Sequence, residues 1–153
     1  MKHKISQDLI PLAKKVDEIK LLDGNPRIGD VNAVKKSYEK FGQRKPIVIT
    51  PDGTVIAGNH QLKAVRELGW THIACVVSND DELTAKAFAL ADNKTAEMGT
   101  YDNDLLSKML SDVSSDLELL EATSFNEKEL LSLLNNQEVI EDEAPAIRQT
   151  EIK

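Results

Sequence analysis

The hydrophobic positions between Ile47 and Gly69 change from the spacing of strands to the spacing of a helix. Two short β-branched runs, Ile47–Thr50 and Thr54–Ala57, flank Pro51-Asp52-Gly53, whose proline and glycine suit the entry and the exit of a turn. Helical spacing begins after Gly58 and ends at Gly69, with apolar positions at Leu62, Val65 and Leu68. We therefore predict a hairpin that continues through a glycine elbow into a helix.

Elements of both kinds are also predicted on either side of this unit. Apolar residues with helical spacing indicate a helix that Asp30 caps and Gly42 ends. The β-branched run His72–Val77 predicts a strand that follows the elbow helix in a βαβ crossover. Ser78–Asp81 can cap a further helix, which we expect to reach Ala91.

Leucine-rich helical patterns continue in the last third of the chain. They predict helices beginning near Asp102, near Asp116 and at Ser124, whereas the residues after Asn135 are acidic and unpatterned. The predicted organisation is an N-terminal arm (1–13), a domain (14–98), a helical extension (99–135) and a disordered acidic tail (136–153).

Charge is distributed unevenly along the 153 residues. The net charge is −7, more than half of the Lys and Arg residues lie in positions 1–45, and the stretch after Glu97 is acidic. Affinity for duplex DNA is dominated by phosphate neutralisation, so a broad DNA-binding face is a poor fit. A local basic patch in the N-terminal half remains a candidate contact for DNA.

The single cysteine and the hydropathy pattern bear on the compartment. Cys75 has no second cysteine to pair with and lies in an apolar run, so we expect a buried reduced thiol and a cytoplasmic protein. No apolar run approaches the roughly 20 residues of a membrane span, and we expect neither a membrane contact nor a signal peptide.

The glycine elbow is the candidate site for an anion. The first N–H groups of a helix lack partners within the helix, and the helix dipole is positive at that end. Gly58-Asn59-His60-Gln61 should therefore present unpaired donors to a phosphate group.

Three separated motifs stand out along the chain: Asn25-Pro26-Arg27, a block from Lys45-Pro46-Ile47-Val48-Ile49 to Gly58-Asn59-His60-Gln61-Leu62-Lys63-Ala64, and Ala91-Asp92-Asn93-Lys94. In this order they resemble the ParB/sulfiredoxin superfamily, specifically the small ParB-like nuclease-domain proteins of phages and prophages. The resemblance covers roughly residues 14–135. It implies an α/β (α+β) fold in which helices flank a small mixed sheet, followed by a short C-terminal helical extension.

The resemblance also implies a nucleotide site. In ParB the glycine elbow wraps the triphosphate of CTP, and an acidic residue next to an Asn assists with phosphate and metal. Cofactors implied for this chain are a nucleoside triphosphate (CTP or ATP) and Mg²⁺, with Asp92 as the metal ligand. The phosphate-binding candidates are Arg27, Gly58, Asn59, His60, Gln61 and Asn93. His60 and Asp92 are the candidate catalytic residues if the protein is a nuclease or an NTPase.

The sequence departs from the family pattern at informative positions. Gln61 stands where the family usually carries Arg, so a phosphate-neutralising charge is missing and triphosphate affinity should fall. Sulfiredoxin needs a cysteine at the position of Asn59, which excludes peroxiredoxin repair. The acidic region after Ala91 does not support the helix-turn-helix DNA reading of full ParB proteins.

Each candidate residue also has a structural interpretation. Gly58 could serve only as a tight turn, His60 as a cap or surface residue, and Arg27 as a solvated turn residue. Asp92-Asn93 could be no more than the C-terminal cap of its helix.

These interpretations lead to three functional hypotheses. The leading hypothesis is a nucleotide-phosphate-binding module in nucleic-acid transactions of a phage or prophage, with the nucleotide and DNA as its partners. The alternatives are a catalytically inert interaction module that binds a protein through its C-terminal helices, and a small-molecule phosphotransferase. The latter would need a second carboxylate base that the sequence does not identify.

Overall fold

The computed structural model describes residues 2–142, which form two compact units, Met1–Thr100 and Tyr101–Lys153. The first unit contains β1 (Ala13–Lys15), α1 (Val31–Phe41), β2 (Ile47–Ile49), β3 (Val55–Ala57), α2 (Asn59–Glu67), β4 (His72–Val77) and α3 (Glu82–Met98). The second contains α4 (Asn103–Val113), α5 (Leu117–Ala122) and α6 (Glu127–Asp142). The predicted mixed sheet flanked by helices is confirmed.

The sheet has the strand order β1-β4-β2-β3. Strands β2 and β3 form the predicted antiparallel hairpin, and β4 lies parallel to β2 with Val48 opposite Val76. The predicted βαβ crossover is wrong in its simple form. Helix α2 follows β3, and β4 does not pair with β3. The parallel pair is β2 and β4, and both β3 and α2 lie between them along the chain.

Alternating strand residues supply two apolar layers, one on each face of the sheet. One layer packs Ile47, Ile49, Val55, Ile73 and Cys75 against Leu62 and Val65 of α2. The other layer packs Ile56 against Ala85 and Ala89 of α3. The small side chains on α3 allow that helix to approach the sheet, which places its middle section beside the glycine elbow.

Helix α2 ends as its sequence predicted. The N–H of Trp70 donates to Val65 O at 2.9 Å and the N–H of Gly69 donates to Arg66 O at 3.1 Å, which is a Schellman motif. The Trp70 ring stacks on Tyr38 of α1 with ring centroids 5.4 Å apart. The end of the elbow helix is therefore fixed against its neighbouring helix.

Residues near the N-terminus belong to the first unit. Within the predicted arm, a 3₁₀ helix covers Gln7–Leu12 and Ile5 is buried, while β1 extends the sheet at β4. Buried Gln43, which sequence reasoning missed, accepts from Ala74 N at 2.7 Å and donates to Ala74 O at 2.9 Å. Both polar ends of this amide side chain are thereby satisfied.

Two helices are longer than predicted. Helix α3 runs to Met98 instead of ending at Ala91, and α6 runs to Asp142, so positions 136–142 of the predicted disordered tail are helical. The rest of that tail, 143–153, lies outside the described residues. Helices α4 and α5 begin where the sequence predicted, with Asp102 and Asp116 as N-caps.

Cys75 is buried and forms no disulfide, as predicted for the single cysteine. Burial raises the pKa of the Cys75 thiol to about 11, so the group stays protonated at neutral pH. Within the part of the chain that the structure describes, no helix is long and apolar enough to span a membrane.

We expect Gly58→Ala to destabilise the protein by more than about 2 kcal/mol, measured by urea unfolding. Gly58 has φ of +112°, and a Cβ atom there would lie 2.4 Å from Ile47 Cγ2. Gly24→Ala is the matched control, because its φ is also positive, +68°, but its Cβ would meet nothing within 4 Å. Equal losses of stability would show that the close contact with Ile47 does not matter.

Candidate functional site

The glycine elbow joins strand β3 directly to the first turn of α2. Gly58 is the N-cap residue, it is in the left-handed region, and it offers no side chain to cap the helix. Leu62 N donates to Gly58 O at 3.0 Å, which closes the first helical turn. The first N–H groups of α2 have no partners within the helix and point out of its N-terminal end, as an anion site requires.

These N–H groups open on a cavity of about 270 Å³ that we call the elbow cleft. Its walls come from the loop before α1, from the start of α2 and from the middle of α3. The lining residues are Asn25, Arg27, Gly29, Asp30, Val34, Ile56, Ala57, Gly58, Asn59, His60, Gln61, Asp92, Asn93 and Ala96. All seven residues predicted for the site thus lie around one cavity, and their chemical roles stay predictions.

A second cavity of about 580 Å³, the aromatic cleft, adjoins the elbow cleft. The elbow cleft and the aromatic cleft have four lining residues in common: Ala57, Gly58, Gln61 and Asp92. The glycine elbow therefore borders both clefts. The other lining residues are Ser37, Tyr38, Phe41, Gly42, Arg44, Lys45, Pro46, Ile47, Val48 and Phe88. The aromatic cleft combines aromatic rings with basic side chains, a lining suited to a flat, negatively charged ligand.

Asn59 has a structural role that the sequence did not reveal. Its side chain is buried, and its Oδ1 accepts a hydrogen bond from Leu22 N at 2.9 Å. The amide therefore ties the start of α2 to the segment that precedes the Asn25-Pro26-Arg27 turn. Its side-chain oxygen is already engaged, so any contact with a ligand would have to come from its backbone N–H or side-chain NH₂.

His60 lies against the turn on the other side of the cleft. A Cβ atom on Gly29 would come within 2.8 Å of the imidazole ring, so this ring and the Gly29 backbone are in close contact. Burial, followed by the positive charges of Lys63 and Arg27, lowers the pKa of His60 below its usual value of 6.5. His60 is therefore neutral at pH 7, and an anion beside it would favour its protonation.

Lys63 is a functional candidate that sequence reasoning passed over. Its charge acts on His60, one turn of helix earlier, and its side chain is exposed in the middle of α2. The elbow therefore has positive charges in Arg27 and Lys63 despite the neutral Gln61. The sequence alone could have indicated this charge, because Lys63 follows His60 by three residues and so lies on the same side of a helix.

Arg27 reaches the elbow cleft from the turn before α1, but it already has a partner. Its Nη1 lies 3.1 Å from Glu97 Oε1, and its backbone N–H donates to Asn25 Oδ1 at 3.2 Å. Glu97 was not predicted as part of the site. It lies one turn after Asn93 on the same helix, and the prediction that this helix ends at Ala91 concealed that spacing.

Asp92 and Asn93 lie inside α3, so the interpretation that they cap its C-terminus is wrong. Both face the elbow cleft, and Asp92 also lines the aromatic cleft. Among residues 2–142 no three His, Cys, Asp or Glu side chains are grouped to hold a metal ion. The single carboxylate fits Mg²⁺ only if most ligands are water and phosphate oxygens, which is how proteins commonly bind Mg²⁺ with nucleotides.

Comparison with known proteins shows what the region containing this site is similar to. Residues 24–94 match the family model of the ParB N-terminal domain, a span that includes all seven predicted site residues. Over these residues the chain is similar to the ParB N-terminal domain, and the resemblance seen in the sequence is confirmed at that level. No curated protein sequence matches the chain.

Solved structures of ParB proteins resemble this chain. The C-terminally truncated chromosome-partitioning protein ParB from Caulobacter crescentus, in complex with CTP-γ-S, has a TM-score of 0.67 at 11% sequence identity, covering 82% of this chain and 77% of that chain. A Pnob8-like ParB-N domain has a TM-score of 0.48 at 11% identity, covering 87% and 48%. The Caulobacter protein complexed to the centromeric parS site has a TM-score of 0.46 at 12% identity, covering 87% and 79%. At 11% identity, the likeness to the CTP-γ-S complex establishes the fold alone.

We expect Asn59→Ala to lower the free energy of unfolding by about 1–3 kcal/mol, because it leaves the Leu22 N–H without its partner. His60→Ala should cost clearly less, since the half-buried imidazole accepts no backbone hydrogen bond that the fold depends on. Chemical denaturation of both variants measures the difference. An Asn59→Ala variant as stable as the wild type would contradict the structural role of this side chain.

Proposed function

We propose that the elbow cleft binds the phosphates of a nucleoside triphosphate, with CTP as the first candidate and ATP as the second. The observation that supports it is the convergence on one cavity of a helix N-terminus, Arg27, and the Asp92-Asn93 pair. Backbone N–H groups and a guanidinium are the donors that phosphate oxygens accept from most readily. The CTP-γ-S complex of the similar Caulobacter protein supports the choice of nucleotide.

Mg²⁺ belongs to this proposal because of Asp92. A carboxylate beside a triphosphate is repulsive unless a cation offsets the charge, so Asp92 would hold Mg²⁺ and the ion would neutralise part of the phosphate charge. Asn93 would then contribute an uncharged amide on the same side of the cleft. The basic residues Arg44 and Lys45 at the aromatic cleft would add to the attraction for an anion.

The wider role we propose is in nucleic-acid transactions of a phage or prophage, on the strength of the resemblance to small phage ParB-like proteins. DNA would be contacted through the basic residues of the first unit, and a protein partner through the helices of the second. Hydrolysis of a phosphoester would use His60 as general base and Asp92 as metal ligand. His60 is suited to that role because it is neutral at pH 7 and can accept a proton.

Isothermal titration calorimetry with CTP, ATP, GTP and ADP tests the proposal, each with and without Mg²⁺. We expect CTP to bind most tightly, and to bind more weakly when Mg²⁺ is removed. The same titration with Asp92→Asn should show a smaller dependence on Mg²⁺, because the repulsive charge is gone. Absence of heat with every nucleotide in the presence of Mg²⁺ would favour the inert interaction module.

Two charge-adding variants test whether the elbow cleft binds CTP weakly or not at all. Gln61→Arg restores the charge that the family usually has and should tighten CTP binding by about 1–2 kcal/mol, with a smaller gain at high salt. Asn79→Arg is the matched control, since it adds the same charge at an exposed position outside both clefts. Equal effects of the two variants would point to net charge alone.

The pKa of His60 gives a prediction for pH dependence. A bound triphosphate favours the imidazolium, so the pKa of His60 should be higher in the complex than in the free protein, where it is below 6.5. By linkage, CTP affinity should rise as the pH falls through the pKa of the complex, and level off below the pKa of the free protein. NMR titration of the His60 ring with and without CTP measures both values. An unchanged pKa would place the phosphates away from His60.

A further inference from the structure

Arg27 stands between the elbow cleft and a third cavity of about 580 Å³, here called the Glu97 cleft. This cavity is lined by Pro26, Arg27, Ile28, Leu90, Asn93, Lys94 and Glu97. Arg27 lines both cavities, whereas Glu97 lines this one and is absent from the lining of the elbow cleft. The carboxylate that holds Arg27 therefore lies on the side away from the glycine elbow.

The contact between the two side chains is close but exposed. Arg27 Nη1 is 3.1 Å from Glu97 Oε1, and the side chains are 37% and 57% exposed. Glu97 Oε2 also lies 4.0 Å from Lys94 Nζ. Ion pairs of this kind contribute little to stability because water and salt screen them, so a stronger anion can replace the carboxylate.

The backbone at Arg27 is fixed while its side chain is free to change partner. The Arg27 N–H donates to Asn25 Oδ1, and the preceding segment is tied to Asn59 through Leu22. Exchange from Glu97 to a ligand in the elbow cleft thus requires rotation of the Arg27 side chain and no movement of the fold. A guanidinium carries five N–H donors and binds phosphate oxygens in pairs, so the exchange gains hydrogen bonds.

We propose that Glu97 is a competing partner that occupies the Arg27 guanidinium at the edge of the elbow cleft until a phosphate group displaces it. The proposal rests on the function proposed above and adds a control on that site. In the protein without ligand, Glu97 pairs with the guanidinium, which lines both clefts. In the complex, the phosphates take the guanidinium and Glu97 keeps Lys94 as its neighbour. Glu97 therefore lowers the affinity of the site for phosphate.

A double-mutant cycle tests the competition, with binding of CTP·Mg²⁺ and of inorganic tripolyphosphate followed by calorimetry. Glu97→Gln should tighten both ligands two- to five-fold, the scale of an exposed ion pair. The same substitution in an Arg27→Gln background should change neither affinity. Glu82→Gln is the matched control, because Glu82 is also exposed on α3 and pairs with Lys86, at 2.6 Å, outside the elbow cleft.

The outcomes distinguish this proposal from the one on which it rests. If the wild type binds and Glu97→Gln binds equally or less tightly, the competition is overturned and Glu97 instead presents Arg27 to the ligand or has no role. Tightening of the same size in the Arg27→Gln background, or in Glu82→Gln, would show a general charge effect and would also overturn it. If neither the wild type nor Gln61→Arg binds either ligand, the proposed function itself fails, and the role of Glu97 with it.

Discussion

The close contact between Gly58 and Ile47 is the constraint on which the first unit depends. Only a residue without Cβ lets the chain leave β3 beside Ile47 and begin α2 at once, because a Cβ on Gly58 would lie 2.4 Å from Ile47 Cγ2. That contact places Leu62 and Val65 on one face of the sheet. It also leaves the start of α2 without a side-chain cap, so the residue that the fold requires is the residue that exposes the N–H donors.

The elbow becomes a cleft because two other segments are held beside it. Asn59 fixes the segment before the Asn25-Pro26-Arg27 turn, and the small residues Ala85 and Ala89 let α3 lie close to the sheet. Their geometry depends on ordinary packing and hydrogen bonds, whereas the charges within the cleft are poorly balanced. Asp92 faces the same space as His60, and Arg27 is turned toward Glu97. A bound anion together with a cation would provide a partner for the Asp92 carboxylate and a second partner for the Arg27 guanidinium.

The sequence predicted the elements well where local signals and packing agree. The hairpin, the elbow, the Gly69 end of α2 and the strand His72–Val77 all have turn or periodicity signals that act over a few residues. Prediction from the sequence failed where a strand or side chain pairs with a residue far away in the sequence. The pairing of β4 with β2 and the hydrogen bonds of Gln43 and Asn59 connect residues far apart in sequence. Glu97 was missed because the helix was predicted to end at Ala91, before the Asp92-Asn93 pair, whereas α3 continues to Met98.

Binding of phosphates at the elbow is tested by NMR mapping of amide chemical shifts during addition of CTP and Mg²⁺. We expect the largest changes at the backbone amides of Gly58–Gln61, with smaller ones at Arg27 and Asn93. Changes confined to the second unit, or to faces of the first unit remote from the elbow, would contradict it.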